Sequence, residues 1–136
     1  MNPQQLLYAK THEWVHVAGG PAGEKIATVG ISGFALEALT DLVFVDLPAV
    51  GKQVEAGQPF GEIESVKAVS DLYSPVDGEI VEVNHDLPDN LEKLPDDPYG
   101  LGWFVKIKIS DESGLAGLMD HATYRKQCEE ETAGEG

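Results

Sequence analysis

The sequence predicts a mainly β domain that folds as a barrel or a sandwich. Its apolar residues fall into short runs rich in Val, Ile, Phe and Tyr, and turns that contain Gly or Pro separate the runs. Several short strands with frequent turns are typical of closed or two-layered antiparallel sheets. A chain of 136 residues is long enough to bury one core without disulfide bonds. We therefore expect a single domain over residues 1–131.

Seven apolar runs are predicted strands because they are short and rich in β-branched or aromatic residues. They are Trp14–Val17, Ile26–Val29, Leu42–Leu47, Phe60–Val66, Ala68–Tyr73, Glu79–Val83 and Phe104–Ile109. The last run alternates apolar residues with Lys106 and Lys108, which indicates one solvent-exposed face. No Gly, Asn or Pro lies beside Lys67 to mark a turn, so local propensity alone favours one long strand, or a helix, over residues 62–73.

Two segments are predicted helices. The segment near 32–39 has Ser32 as a candidate N-cap, followed by a run of apolar residues. The segment near 112–129 has apolar residues at helical spacing, although Asp120 also fits a break between two shorter helices. Residues 132–136 are acidic or small, and we expect them to form a disordered tail.

The charge balance restricts the partners. Nine basic and 24 acidic residues give a net charge of −15, which argues against nucleic acid or a membrane as a partner, since both bind clustered Lys or Arg. The same negative charge favours partner proteins that have basic surfaces. Cys128 is the single cysteine, so an intrachain disulfide is impossible and a reducing compartment fits. Without a signal or membrane-spanning pattern, we expect a monomer in the bacterial cytoplasm or, alternatively, a processed protein of the mitochondrial matrix.

Sequence motifs for an enzyme or a metal site are missing. The four histidines, His12, His16, His85 and His121, have no partners at zinc-binding spacing, so no metal site is expected. The sequence also has no nucleophile elbow, P-loop or dinucleotide-binding motif. We therefore expect no catalytic residues and a protein that is not an enzyme.

A single lysine in an acidic stretch is the strongest candidate functional residue. Lys67 is the only basic residue between Lys52 and Lys93, and the run 61–84 around it is rich in Asp and Glu. An arbitrary lysine on a solvent-exposed strand is usually only a surface charge. An isolated lysine is also a suitable target for an enzyme that must acylate one lysine among several.

The run around Lys67 resembles the lipoylation site of the glycine cleavage H-protein family. The match begins with Glu64-Ser65-Val66-Lys67-Ala68 and continues to Asn84. Other signatures of the family are matched in order by residues 11–15, 29–41, 43–51, 97–103 and Tyr124. The chain departs from the family pattern at Leu36, at Thr40 and over residues 91–95, and none of these departures removes a residue that would carry chemistry.

The resemblance implies a lipoyl/biotinyl-type barrel-sandwich hybrid of two small antiparallel sheets, with lipoate on Lys67 at a hairpin tip. The implied function is that of a carrier in glycine cleavage. The lipoyl group would accept an aminomethyl group from a pyridoxal-phosphate-dependent glycine decarboxylase and pass it to a tetrahydrofolate-dependent aminomethyltransferase. A dihydrolipoyl dehydrogenase would then reoxidise the group. A lipoate ligase, or an octanoyltransferase with lipoyl synthase, would attach it.

The resemblance also assigns roles to residues outside the lysine. Glu13 and Asp71, with Thr11 as a weaker candidate, match positions that hold and shield the carried amine, because a buried cation requires an anion. Glu64, Ser65 and Asp71 are candidates for recognition by the partner enzymes. The two acids among them would attract a basic rim.

Three other kinds of carrier also use an acylated lysine. A relay that hands octanoyl or lipoyl groups to other lipoyl domains would use the same Lys67, so the sequence leaves this alternative open. A lipoyl domain of a 2-oxoacid dehydrogenase typically has Asp where Val66 stands. A biotin carrier has Met where Val66 and Ala68 stand, so both are disfavoured.

Overall fold

The structure is a computed structural model that describes residues 2–135, without the side chains of residues 132–135. Within this range the strands are β1 (Leu7–Tyr8), β2 (Glu13–Gly19), β3 (Lys25–Ile31), β4 (Leu42–Asp46), β5 (Gln53–Val54), β6 (Pro59–Ser65), β7 (Val69–Tyr73), β8 (Asp77–Val83) and β9 (Trp103–Asp111). The helices are α1 (Gly33–Leu39) and α2 (His121–Glu135). Short 3₁₀ turns occupy Pro3–Gln5, Leu87–Asp89, Leu91–Asp96 and Glu112–Gly117.

The strands form two antiparallel sheets around one core. The larger sheet has the strand order β1-β2-β3-β9-β8-β5, and the smaller sheet has the order β4-β6-β7. Apolar side chains from both sheets meet in a single buried cluster, which includes Val29 and Ile107 from the larger sheet and Val45 and Ile63 from the smaller one. The predicted architecture of two small antiparallel sheets is therefore confirmed.

All seven predicted strands are present, with their ends displaced by at most two residues. The sequence does not predict β1 and β5, because two residues are too few to show a hydrophobic period. Tertiary pairing forms them instead. In β1, Tyr8 lies opposite Trp14 of β2 and also bridges to Met119, while β5 pairs with β8.

The expectation of one long strand or a helix over residues 62–73 is wrong. Strand β6 ends at Ser65, the chain reverses, and β7 begins at Val69. The two strands pair with each other in antiparallel register. The hairpin implied by the family resemblance is the observed structure, and local propensity failed to indicate it.

The first predicted helix is confirmed. Ser32 is the N-cap of α1, since its hydroxyl oxygen accepts a hydrogen bond from the Ala35 N–H at 3.3 Å. The helix ends where Thr40 adopts a φ of 64° and donates its N–H to the carbonyl of Leu36 at 3.1 Å. The Thr40 departure from the family pattern therefore falls at a position that favours glycine.

The second helical segment is divided at Asp120. Its first part is the 3₁₀ turn Glu112–Gly117, and α2 begins at His121. The carboxylate of Asp120 accepts a hydrogen bond from the Thr123 N–H at 2.9 Å, which is the geometry of a helix N-cap. The alternative of two shorter helices is therefore confirmed.

Helix α2 continues to Glu135, so the backbone of residues 132–135 is helical. Gly136 lies outside the described residues. The disordered tail expected over residues 132–136 stays a prediction. None of the described helices is long and apolar enough to cross a membrane.

Helix α2 packs against the N-terminal part of the chain. Tyr124 joins Leu6, Tyr8 and Trp14 in a second buried cluster, and its ring stacks on Tyr8 with centroids 4.4 Å apart. One turn later, the Gln127 side chain donates a hydrogen bond to the carbonyl of Lys10 at 2.9 Å. The helix therefore contacts the loop that leads into β2.

Candidate functional site

Lys67 lies at the exposed tip of the β6–β7 hairpin, and Ser65 closes the turn beneath it. The Ser65 hydroxyl oxygen accepts hydrogen bonds from the N–H groups of Lys67 at 3.2 Å and of Ala68 at 3.1 Å. The Ser65 N–H donates to the carbonyl of Ala68 at 2.8 Å. A serine side chain thus supplies the backbone hydrogen bonds of a turn that contains no Gly, Asn or Pro.

A second contact attaches the tip to the body of the protein. The Val66 N–H donates a hydrogen bond to the carbonyl of Asp41, just before β4, at 2.9 Å. The backbone of the tip is thereby held on both sides, while the Lys67 side chain is exposed and forms none of the described ion pairs. Its amine is accessible to an acylating enzyme, and the rigid backbone fixes where an attached group begins.

The outer face of the smaller sheet is both acidic and apolar. One row across the three strands pairs Asp46 with Glu62 and Glu62 with Asp71, and all three side chains are exposed. Carboxylates in adjacent register repel one another, so this row is not arranged for stability. None of the three takes part in a described ion pair.

The next row, closer to the tip, is more apolar. It places Phe44 beside Glu64 and Glu64 beside Val69. Phe44, Val66 and Val69 are 53%, 71% and 56% exposed, which is unusual for large apolar side chains grouped together. Lys67 therefore stands at the edge of a surface that offers apolar contacts with acidic residues around them. We call this surface the acidic face; it is made of the outward-facing residues Phe44, Asp46, Glu62, Glu64, Val66, Val69 and Asp71.

Glu13 is a buried carboxylate without a described cationic partner. It is the first residue of β2 and is completely buried. One carboxylate oxygen accepts a hydrogen bond from the hydroxyl of Thr11, and the other accepts one from the Tyr73 N–H at 3.2 Å. Burial raises the pKa of Glu13 to about 7, because the two hydrogen bonds only partly offset the loss of water around the charge.

Glu13 is one of the residues that line a cavity of about 420 Å³. The other walls are formed by residues 9–11, 56–57, 73–75 and by Gly114, Gly117 and Leu118. Strand β7 links this cavity to the lysine, since it begins next to the hairpin tip and ends at Tyr73. Four residues of extended chain separate Val69 from Tyr73, which is a distance of roughly 13 Å.

The structure brings together only some of the predicted site residues. Thr11 and Glu13 both line the cavity, and the Thr11 hydroxyl donates a hydrogen bond to the Glu13 carboxylate. Asp71 is exposed on the acidic face and does not line the cavity, although the Tyr73 hydroxyl lies 3.5 Å from its carboxylate. Ser65 is only 4% exposed, so any effect of this residue on recognition acts through the shape of the turn.

Several parts of the site have no clear signal in the sequence. Tyr73 contributes its backbone N–H to Glu13, and any residue except proline supplies that group, so no side-chain signal exists. Phe44 lies in an apolar strand but is exposed, because the neighbouring Val45 points into the core and Phe44 therefore points away from it. Gly114 and Leu118 reach the cavity from a segment distant in sequence.

The fold and the site define a class of protein. Two small antiparallel sheets that enclose one core, with a single exposed lysine on a hairpin tip, are the structure of a lipoyl/biotinyl-type carrier domain of the barrel-sandwich kind. A family model described as "Glycine cleavage H-protein" matches residues 6–131. The chain belongs to the glycine cleavage H-protein family.

Relatives in this family are similar over nearly their whole length. The glycine cleavage system H protein of Rhodopirellula baltica is 57% identical over 129 residues, which are 95% of this chain and 96% of the relative. That of Rubrobacter xylanophilus is 51% identical over the same shares of the two chains. A crystal structure of a glycine cleavage system H protein from Mycobacterium marinum superposes with a TM-score of 0.82 at 41% identity. This match covers 93% of this chain and 98% of that one.

Membership of the family gives the general function. The chain is a lipoyl carrier of glycine cleavage rather than a catalyst, and the other components of that system are its partners. The resemblance identified from the sequence is thereby confirmed.

Proposed function

We propose that Lys67 is the residue to which lipoate is attached. The observation that carries this proposal is the position of Lys67 at a fixed, exposed hairpin tip in a member of a lipoyl-carrying family. Lipoate linked through an amide removes the positive charge of the lysine. It supplies a disulfide that accepts the aminomethyl group, and after the group has been transferred onward both sulfurs are left as thiols. The chain itself supplies the placement of the arm and the environment of its cargo.

We further propose the succession of partners. The aminomethyl group comes from glycine decarboxylase, the aminomethyltransferase removes it, and dihydrolipoyl dehydrogenase restores the disulfide. A carrier that must visit several active sites benefits from a long tether on a rigid tip, because the tether keeps the effective concentration of its cargo high at each site. The exposed position of Lys67 supports this function, since nothing described around the tip obstructs access.

The cavity beside Glu13 is proposed to hold the carried amine. An amine of this kind is cationic at neutral pH, and a cation that leaves water requires a paired anion. Glu13 is a buried residue of the cavity lining, and burial without a described cation raises its pKa to about 7. A cation beside it would lower that pKa and fix the carboxylate in its charged form. Thr11 orients the carboxylate, and Asp71 provides a second negative charge outside the cavity.

The acidic face is proposed to be the surface that the partner and lipoylating enzymes recognise. Glu64 and Asp71 lie on its two rows, and the half-buried Glu64 and the exposed Asp71 both supply negative charge for contact with a basic rim. The exposed side chains of Phe44 and Val69 add apolar contact area beside them. Ser65 contributes by fixing the shape of the turn.

Attachment is tested by intact mass. The purified protein, treated with lipoate ligase, lipoate and ATP, should gain one lipoyl group, and Lys67→Arg should gain none because its guanidinium cannot be acylated in this way. Lys52→Arg is the matched control, since Lys52 is an exposed lysine outside the hairpin. A lipoyl group on Lys67→Arg, or its loss from Lys52→Arg, would contradict the assignment.

The cellular location is also a proposal. The relatives described above come from bacteria, which supports the bacterial cytoplasm as the compartment. The mitochondrial matrix stays an alternative prediction. Fractionation of the source cells, followed by detection of the lipoylated protein, separates the two.

A further inference from the structure

Helix α2 brings two potential metal ligands next to His12, outside the site described above. The imidazole Nε2 of His12 lies 3.3 Å from a carboxylate oxygen of Glu131. The sulfur of Cys128, one turn earlier on the same helix face, completes a group whose donor atoms all lie within 4.8 Å of one another. The three residues thus converge on one small volume although more than a hundred residues separate His12 from the other two.

The donor set is that of a zinc-type site. Imidazole nitrogen, thiolate sulfur and carboxylate oxygen are the three side-chain ligands that Zn²⁺ uses, and it prefers four of them in a tetrahedron. Ligands bound at about 2.0–2.3 Å on the corners of a tetrahedron are separated by roughly 3.3–3.8 Å. The observed separation of 3.3 Å between His12 Nε2 and Glu131 already matches this edge. The sulfur lies within 4.8 Å of the other two donor atoms and has to approach them to complete the tetrahedron.

The histidine is already oriented for such a ligand. Its other ring nitrogen, Nδ1, lies 2.6 Å from the hydroxyl of Tyr124, which in turn lies 2.5 Å from the hydroxyl of Ser32. Metal-binding histidines usually donate the second N–H to such a group, because that hydrogen bond leaves a lone pair on the nitrogen facing the ion. Tyr124 and Ser32 are both buried, so this support is rigid.

The backbone of His12 is fixed as well. His12 adopts a φ of 81°, a conformation that non-glycine residues rarely take. Its N–H donates to the carbonyl of Ala9 at 2.9 Å, and its own carbonyl accepts from the Ser32 N–H at 2.9 Å. The imidazole is therefore held in place before any ion binds, which lowers the entropic cost of binding.

We propose that His12, Cys128 and Glu131 form a binding site for a divalent zinc-type cation, with the fourth position open to water. On binding, the Cys128 thiol releases its proton to solvent and the thiolate coordinates the ion. The net charge of −15 attracts cations to the protein as a whole. An ion at this position would link the C-terminal half of α2 to residues 9–12. These residues form the loop that contains Thr11 and leads into Glu13. This proposal does not depend on lipoylation.

The test uses Co²⁺ as a spectroscopic probe, with Zn²⁺ as competitor, on the full chain without a polyhistidine tag and in the presence of a phosphine reductant. We expect one Co²⁺ per chain and a near-ultraviolet sulfur-to-cobalt charge-transfer band that Zn²⁺ abolishes. Cys128→Ser should lose the band, and it should weaken Zn²⁺ binding by roughly tenfold or more. His12→Asn should weaken binding similarly, and Asn is chosen because it tolerates a positive φ.

Two further variants make the outcome decisive. Tyr124→Phe keeps the ring but removes the group that orients Nδ1, and we expect Zn²⁺ affinity to fall by about 10–100-fold. His85→Asn is the control, because His85 is an exposed histidine outside the cluster, and its affinity should be unchanged. The proposal is overturned if the charge-transfer band is absent from the unmodified protein. Zn²⁺ binding as tight in Cys128→Ser as in the control overturns it as well, because the ion is then held by surface carboxylates.

Discussion

Replacement of Glu13 by glutamine should make the protein more stable at neutral pH. The folded protein raises the pKa of Glu13 from the ordinary value of 4.5 to about 7. A group whose pKa is higher in the folded state binds protons more tightly there, so the free energy of unfolding falls as pH rises through the interval between the two values. Below about pH 4.5 the carboxyl is neutral in both states and does not reduce the free energy of unfolding. Above about 7 it is charged in both, and the full cost of the buried charge is present.

The magnitude follows from the same two pKa values. Each tenfold change in proton affinity corresponds to about 1.4 kcal/mol, so the pKa increase from 4.5 to about 7 amounts to about 3 kcal/mol. About 2 kcal/mol of this should be lost between pH 5.5 and 8. Glu13→Gln keeps an oxygen acceptor for the Tyr73 N–H or the Thr11 hydroxyl but cannot ionise, so it should lack this part of the pH dependence.

The assay is urea unfolding followed by tryptophan fluorescence, from pH 5.5 to 8, on the unmodified protein and on Glu13→Gln. Trp14 is buried and reports on loss of the fold. The contributions of all other titrating groups cancel in the difference in unfolding free energy between the two proteins. Glu62→Gln changes an exposed acid in the smaller sheet, and the pH dependence of its unfolding free energy should differ little from that of the unmodified protein. A difference between Glu13→Gln and the unmodified protein that stays constant with pH would show that Glu13 titrates normally, and the reasoning would be refuted.

Three further predictions concern the carrier function. Glu13→Ala should leave lipoylation intact but shorten the lifetime of the carried amine, measured as release of formaldehyde and ammonia without partner enzymes. Ser65→Ala should cost about 1 kcal/mol of stability, since two N–H groups of the turn lose their acceptor, and it should slow lipoylation of Lys67 in a mass time course. Lipoylation rates should fall as salt rises, because exposed charges are screened beyond about 10 Å at 0.1 M, and Glu64→Gln with Asp71→Asn should remove most of that dependence.

Each of these has a contrary result. An amine lifetime in Glu13→Ala equal to that of the unmodified protein would place the shielding elsewhere. For the turn, Ser70→Ala is the control, and equal lipoylation rates in the two serine variants would show that the Ser65 hydroxyl does not shape the tip for the enzyme. A lipoylation rate that is independent of salt would mean that shape alone governs recognition.

Much of the fold could be predicted from the sequence because strands with one buried face have a visible period. The turn at Lys67 could not, since its hydrogen bonds come from the side chain of a strand residue, Ser65, and from a carbonyl of Asp41 in another part of the chain. Neither contact leaves a local signal of the Gly, Asn or Pro kind. Strand β1 is defined by its neighbours rather than by its own residues.

Only those residues of the candidate site that belong to a sequence motif could be predicted. Lys67, Glu13 and Thr11 are candidates through the family resemblance, and the structure shows how Glu13 differs from other acids, namely by complete burial without a described cation. The face on which Asp71 lies depends on strand register, which the sequence did not determine. The convergence of His12 with Cys128 depends on how α2 docks, and no spacing rule covers such a separation.

The strand order of the smaller sheet has a consequence for crowded solutions. Strand β7 lies at one edge of that sheet, where backbone groups would otherwise invite strand addition by a second copy and, eventually, aggregation. The edge is protected at its far end, where the Tyr73 N–H already donates to Glu13, and along its length, where a second copy would meet the charge of Asp71. Acidic residues that would attract basic enzymes thus also repel other carriers, so the protein can be concentrated around its partners without adhering to itself.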